Sequence, residues 1–273
     1  MKAIIVSAPT LDRVTLANGE TRLQAGGPAL YAGYTLRKLK YDVYAVGPYG
    51  PMVSSVVRLE RQLGIERACC ESMGQGYVFV HRYDGSVRRS SIESTALPLK
   101  AEDLAALIDG QDPDLVIISP VHCEVPPDAL TSKSITGRRV SVDLQGFSRC
   151  MPGAWWERLD LSNIPLVHLS NDDASESVAQ FLSRRAPSVV YTLGPGGAII
   201  FARGKVTAIP LIYGGDIKDR TGLGDISLAL VSHFYLVEGL SLEDAYIESQ
   251  KMIATIAQEL SSLKVLGVMG GSP

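Results

Sequence analysis

Long apolar runs are missing from this 273-residue chain, and none approaches the roughly 18 residues that a membrane-spanning helix requires. The opening Met1-Lys-Ala-Ile-Ile-Val-Ser carries no extended apolar stretch of the kind a secretory leader has, so a cytoplasmic protein with no membrane partner is expected. A positive excess is missing as well. The net charge of -3 and pI near 5.8 leave no broad basic face for nucleic acid. Cysteine is scarce: Cys69, Cys70, Cys123 and Cys150 show no CxxC spacing, and no paired histidines accompany them, which argues against zinc. Neighbours such as Cys69 and Cys70 do not easily reach relaxed disulfide geometry, so buried thiols are expected, with a longer-range bridge left open. His81, His122, His168 and His233 are scattered and read as structural rather than catalytic. There is no internal repeat and no low-complexity linker.

What is present suits an ordinary globular enzyme. With 46% hydrophobic and 20% charged residues the chain can bury a sizeable core in one α/β domain. Short β-rich runs alternate with helical patterns. The strands expected are Ala3–Ser7, Val43–Gly47, Leu115–Ser119, Arg139–Leu144, Leu166–Ser170, Val189–Leu193, Ala198–Ala202 and Val206–Ile209. Most are too apolar for a one-sided sheet, which points to parallel strands covered on both faces. Helices are expected over Pro28–Leu39, Ala101–Ile108, Asp172–Arg185, Gly224–Val237 and Leu242–Leu260, the last opened by a capping box of Ser241 and Asp244. Two segments break the alternation. Thr10–Gln24 reads as a hairpin around Asn18-Gly19 and Gly76–Glu93 as another around Asp84-Gly85, together forming a small β-lid.

The stretch Asp219-Arg-Thr-Gly-Leu-Gly-Asp225, followed by an apolar run to Val237, carries the most chemistry. Two glycines let a loop approach an anion, and the helix behind them directs unpaired N–H groups and a positive dipole end at it. A carboxylate at that helix start can orient an alcohol and take its proton while the loop holds charge on a phosphate. The plainer alternative is a Gly-rich turn with an acidic helix cap.

Several further motifs converge with this one. Gly26-Gly27-Pro28-Ala29-Leu30-Tyr31-Ala32-Gly33 precedes Val43-Tyr-Ala-Val-Gly47, Thr192-Leu-Gly-Pro-Gly-Gly197 lies farther along, and Ser170-Asn-Asp-Asp173 stands between them. In this order and spacing the chain resembles the ribokinase-like (PfkB) carbohydrate kinases over nearly its full length. Asp219–Asp225 stands where that family commonly has DTTGAGD, with Arg220 and Leu223 as departures. Ser170 and Asp173 stand where the family has Asn and Glu.

The resemblance implies a single domain, residues 1–273, with a three-layer αβα sandwich and lid segments near 10–24 and 76–93. It implies an ATP- and Mg²⁺-dependent kinase of small alcohols. Asp225 would be the general base, with Gly222, Leu223 and Gly224 contributing to the anion hole. Thr192, Gly194, Gly197 and Thr221 would face the nucleotide. Asp173 would reach Mg²⁺ directly or through water; simple helix capping by Ser170 and Asp173 is the alternative. The acceptor would meet Asp12, Gly27, Tyr31, Asp143 and Gln145. Tyr31 replaces the Asn of ribokinases, which argues against ribose. The run Asp143-Leu-Gln145-Gly-Phe-Ser-Arg149 resembles a D-x-Q-G-x-x-R stretch of archaeal members and the D-x-Q segment of plant myo-inositol kinases.

A hydroxyl-rich ring such as myo-inositol is therefore the expected acceptor, ahead of a free sugar. A nucleoside is the alternative in the same class, with Tyr77, Phe79 and Tyr83 as candidate base-stacking groups. A non-catalytic sensor that kept the fold is the alternative in another class. The chain would work as a monomer or as a homodimer joined through the lid.

Overall fold

A computed structural model describes residues 1–15, 19–71, 73–84, 87–212 and 220–269. The strands are β1 (Lys2–Val6), β2 (Thr10–Thr15), β3 (Thr21–Gly26), β4 (Asp42–Val46), β5 (Ile65–Arg67), β6 (Gly74–Asp84), β7 (Val87–Ala96), β8 (Leu115–Ile118), β9 (Val140–Asp143), β10 (Leu166–Ser170), β11 (Ser188–Thr192), β12 (Ala198–Ala202), β13 (Lys205–Ile209) and β14 (Val265–Met269). The α-helices are α1 (Pro28–Lys38), α2 (Ser54–Gln62), α3 (Ala101–Gln111), α4 (Gln145–Cys150), α5 (Glu176–Leu182), α6 (Leu223–Ser232) and α7 (Leu242–Leu263). No helix among the described residues is long and apolar enough to cross a membrane.

Nine strands form the central sheet in the order β13-β12-β11-β10-β9-β8-β1-β4-β5. Those from β5 to β11 run parallel, and β12 and β13 return antiparallel at the edge. The apolar character of the parallel strands follows from having both faces covered. In β1, Ile4 and Val6 enter one core with α3 and α5, through Leu104, Ile108, Val178 and Leu182. The alternate residues Ala3 and Ile5 enter the other with α1, α6 and α7, through Ala29, Leu228 and Ala245. The chain moves from β1 outward to β4 and β5 and then returns to β8 on the other side of β1. That reversal opens a crevice beyond the carboxyl ends of β1 and β8, where open α/β sheets bind ligands.

The two expected hairpins share a second, five-stranded sheet, ordered β14-β3-β2-β6-β7. β2 pairs parallel with β6, aligning Asp12 with Phe79 and Val14 with His81. Asn18 and Gly85, central to the expected turns, lie outside the described residues. β14 was not expected there; it pairs with β3 immediately after α7 ends and is too short to stand out in the sequence.

Other differences have local causes. The helix expected from Asp172 begins only at Glu176, because the Asp173 carboxylate accepts the Ser170 N–H at 2.9 Å and its hydroxyl at 2.6 Å, closing a turn first. The helix expected to Val237 is α-helical to Ser232 and continues as a π-turn over His233–Val237. There the Ser232 hydroxyl bonds back to the Leu228 carbonyl at 2.6 Å, and buried His233 pairs with the Tyr41 hydroxyl at 2.9 Å. The cysteines are not buried thiols. Cys69 is bonded to Cys70 and Cys123 to Cys150, and Cys123 is exposed. A positive φ of 78° at Cys70 turns the chain enough for neighbours to pair, and α4 packs its last residue against the loop after β8. The Ser241–Asp244 cap is present, Ser241 accepting the Asp244 N–H at 3.1 Å.

Neither α2 nor β5 stood out in the sequence, and a buried ion pair fastens them together. Glu60 accepts from Arg67 at 2.7 and 2.8 Å, and a third guanidinium contact reaches the Ser7 carbonyl at the end of β1. Both side chains are almost wholly out of water. Arg67→Met should therefore destabilise the fold by about 3–5 kcal/mol by stranding a buried carboxylate, and the double variant with Glu60→Leu should recover most of the loss. Urea unfolding is the measurement, and a single variant within about 1 kcal/mol of wild type would show the pair to be dispensable.

Candidate active site

A cleft of about 1160 Å³ lies beyond the strand ends, between the central sheet and the lid sheet. Its base is formed by the first turn of α6. Gly222 caps that helix at φ 80°, and a Cβ there would enter the Tyr31 ring, so only glycine fits. Ile226 N–H returns to the Gly222 carbonyl at 3.0 Å and Leu223 N–H to the Arg220 carbonyl at 3.3 Å. The N–H groups of Gly224 and Asp225 have no protein acceptor among the described residues. They are the donors this turn offers to an anion.

Asp225 is buried beneath that turn. Its Oδ1 accepts from Ser119 at the end of β8 at 3.3 Å and from the Gln145 amide at 3.4 Å. Burial, reinforced by the nearby Asp143 carboxylate, pushes its pKa up to about 7, against the opposing pull of His168, the Ser119 hydroxyl and Arg149. A carboxyl poised there exchanges protons readily near neutral pH.

Asp143 ends β9, its Oδ1 accepting the Gln145 N–H at 2.7 Å and its Oδ2 facing His168 Nδ1 at 2.7 Å. Asp12, on β2 of the lid, accepts from the Thr10 hydroxyl at 2.9 Å, with His81 Nε2 4.0 Å from its second oxygen. Asp173, in the turn after β10, lines the same cleft. Burial and the Asp143 carboxylate raise its pKa, and Oδ2 is committed to Ser170.

Of the residues singled out in the sequence, Asp12, Gly27, Tyr31, Asp143, Gln145, Asp173, Thr192, Gly194, Thr221, Gly222, Leu223, Gly224 and Asp225 all line this one cleft. Gly197 does not. It is buried at φ 89° against Ile209 and Leu211, where it turns β11 into β12. Tyr31 is committed to packing: its ring supports Gly222 and its hydroxyl accepts from the buried Lys264 ammonium at 3.3 Å. Asp219 lies outside the described residues.

Sequence reasoning missed four contributors. His168 and His81 line the cleft, and nothing in their local pattern marked them. Ser119 is legible only once β8 is seen to end beside α6. Glu124 is fully buried, and its carboxylate accepts from Ala8, Val121 and His122 N–H groups at 3.3, 2.6 and 2.9 Å, tying the loop after β1 to the loop after β8.

Two consequences are measurable. The folded Asp225 carboxyl holds its proton up to about pH 7, whereas an unfolded one releases it near 3.8, so stability falls as pH rises through that window. Asp225→Asn should therefore stabilise the protein at pH 8 and add little at pH 4, by urea unfolding at the two pH values. An equal effect at both would show that the carboxyl does not titrate there. At the capping position, Gly222→Ala should cost about 2 kcal/mol from strain and collision with Tyr31. Gly224→Ala, whose Cβ meets nothing nearer than His168 at 3.6 Å, should cost well under half of that in the same measurement.

No family model matches the chain, and no curated protein matches it. Solved structures do. A pyrophosphate-dependent kinase in the ribokinase family, solved with sulfate, superposes with a TM-score of 0.78 at 20% identity, covering 94% of this chain and 95% of that one. A pyrophosphate-dependent kinase of the same family, complexed with a pyrophosphate analog and myo-inositol, gives 0.77 at 19% identity over 94% and 95%. Ribokinase of Arabidopsis thaliana, complexed with ribose and ATP, gives 0.71 at 17% over 96% and 98%. The central sheet with helices on both faces, the β-lid and these end-to-end superpositions establish that the chain has the ribokinase-like fold.

Proposed function

We propose that the chain is a kinase transferring a phosphoryl group to a hydroxyl of a small polyol or sugar, with Asp225 as general base. The observation that carries this reading is Asp225 itself: a buried carboxyl with its pKa pushed up to about 7, one residue beyond a Gly224 N–H that has no acceptor among the described residues, in a cleft that also holds Asp12, Asp143 and Gln145. A hydroxyl placed against Asp225 loses its proton to the carboxylate as it attacks. The Gly224 and Asp225 N–H groups meet the charge on the phosphoryl group. The lid contributes Asp12 and His81 and excludes water from the reacting atoms.

The acceptor reading follows from the polar set. Asp12 and Asp143 accept hydrogen bonds and Gln145 both donates and accepts, which suits a hydroxyl-rich ring such as myo-inositol. The myo-inositol complex of a similar fold supports this. A nucleoside is the second reading, favoured by the Phe79 ring in the cleft.

For the donor we propose ATP with Mg²⁺. Leu211, Tyr246 and Ile253 give the cleft an apolar wall suited to a base, and Thr192, Gly194 and Thr221 line the same space. Pyrophosphate is the competing donor, favoured by the Arg220 guanidinium at the cleft and by the pyrophosphate-dependent relatives in fold. A divalent ion fits Asp173: one carboxylate oxygen is taken by Ser170, the other has no partner among the described residues, and a cation would offset its cost of ionising. Mg²⁺ needs few carboxylates and keeps its waters; it would neutralise donor phosphate charge.

The test is a product-release assay crossing ATP and pyrophosphate with polyols, hexoses and nucleosides. Myo-inositol should give the highest kcat/KM, and Asp225→Asn should lower kcat by roughly 10²- to 10⁴-fold with donor affinity nearly unchanged. Faster turnover of nucleosides would displace the polyol reading. No turnover of any acceptor, with ligands still binding, would favour a sensor.

A further inference from the structure

His168 occupies a position that an apolar residue would ordinarily fill. It lies on β10, two residues from Leu166, and pairs in register with Val190 of β11; both belong to the apolar core. The ring is 3% exposed. A buried histidine that only packs finds partners for both nitrogens, because a polar group left unpaired out of water costs free energy. His168 does not: Nδ1 meets Asp143, while Nε2 is buried without a partner among the described residues. Its Cε1 edge stands 3.6 Å from where a Cβ on Gly224 would lie, so the ring backs directly onto the first turn of α6.

The groups around it are acidic. Asp143 from β9, Asp173 from the turn after β10 and Asp225 from α6 all act on the imidazole. Arg149, on α4, also favours the charged form of Asp225, but it hydrogen-bonds the Val121 carbonyl at 3.3 Å instead of a carboxylate. Among the described residues no lysine or arginine bonds to Asp143, Asp173 or Asp225. Like charges drawn together out of water suppress one another's ionisation unless a cation stands among them.

We propose that His168 is a positioning residue for the transfer reaction: clamped by Asp143 behind the Gly224 turn, its imidazolium offsets the three carboxylates and keeps Asp225 available as a base. This rests on the kinase reading of the site. Burial favours the neutral ring, yet the carboxylates outweigh it and raise the His168 pKa, and His168 in turn lowers that of Asp225.

Two measurements test this. Nitrogen-15 NMR of histidine-labelled protein at pH 7 should show one imidazole protonated on both nitrogens, absent in His168→Gln and converted to the neutral ring in Asp143→Asn. The pH profile of kcat/KM should show an acid limb displaced upward by about one unit in His168→Gln and in His168→Leu, without a matching rise in donor KM. A purely structural role would lower stability and leave that limb in place. A neutral His168 in the wild type overturns the proposal, as does either variant with an unshifted limb. A wild-type chain that phosphorylates no acceptor but carries the imidazolium would sink the kinase reading and leave the charge arrangement standing.

Discussion

Three carboxylates, Asp143, Asp173 and Asp225, are drawn together at the carboxyl ends of β9 and β10 and the first turn of α6, and the cost of holding them there governs the rest of the site. Each is partly or wholly out of water, where repulsion is poorly screened. Every one is held by donors from a different element: Ser119 and Gln145 on Asp225, the Gln145 N–H and His168 on Asp143, Ser170 on Asp173. Burial, and after it the neighbouring Asp143 carboxylate, raise the Asp225 pKa. A group stabilised fully as a carboxylate would be a poor base, and one left wholly uncompensated would never release its proton.

Such an arrangement needs strand ends that do not drift, and the fixings are visible. Glu124 pins the loops following β1 and β8 through three N–H donors, and the Cys123–Cys150 bond joins the loop after β8 to the end of α4, whose first residue contacts Asp225. Arg67 reaches the end of β1 from the opposite edge. None of these groups lines the cleft, yet they fix the strand ends and loops from which Ser119 and Gln145 project. Rigidity of the supporting shell decides whether acid–base groups meet within hydrogen-bond reach.

Legibility in the sequence followed the physics of each element. Strands covered on both faces announce themselves as continuous apolar runs, so β1, β4, β8, β9, β10, β11 and β12 match their expected ranges to within a residue or two, and the mostly exposed edge strand β13 does so as well. The glycine turn before α6 was legible because positive φ and close approach leave few residue types. The three-residue β5 and the lid strand β14 were not, since their pairing depends on distant chain. His168 and Ser119 carry no local signature; the register of β9 against β10 sets His168 beside Asp143, and the end of β8 brings Ser119 to Asp225. Cysteine pairing escaped because it depends on a backbone turn at Cys70 and on the docking of α4.

Tyr31 shows how a departure from a family pattern can carry two meanings. From the sequence it marks an altered acceptor pocket, since an amide that could grip a sugar hydroxyl has been replaced by a phenol. In the fold its ring lies against Gly222 and its hydroxyl receives the Lys264 ammonium, which also stands 5.4 Å over the ring. Lys264 links α7 to β14, and its carbonyl accepts the Ala25 N–H of β3, so the phenol joins the anion turn to the lid sheet. With Tyr31 engaged in that linkage, polar selection of the proposed acceptor would fall to Asp12 and His81 on the lid and to Asp143 and Gln145 at the strand ends. Those groups lie on two sheets, so under the proposed kinase reading an acceptor that satisfied both sets would also hold the lid against Asp225, and closure and selectivity would become one event.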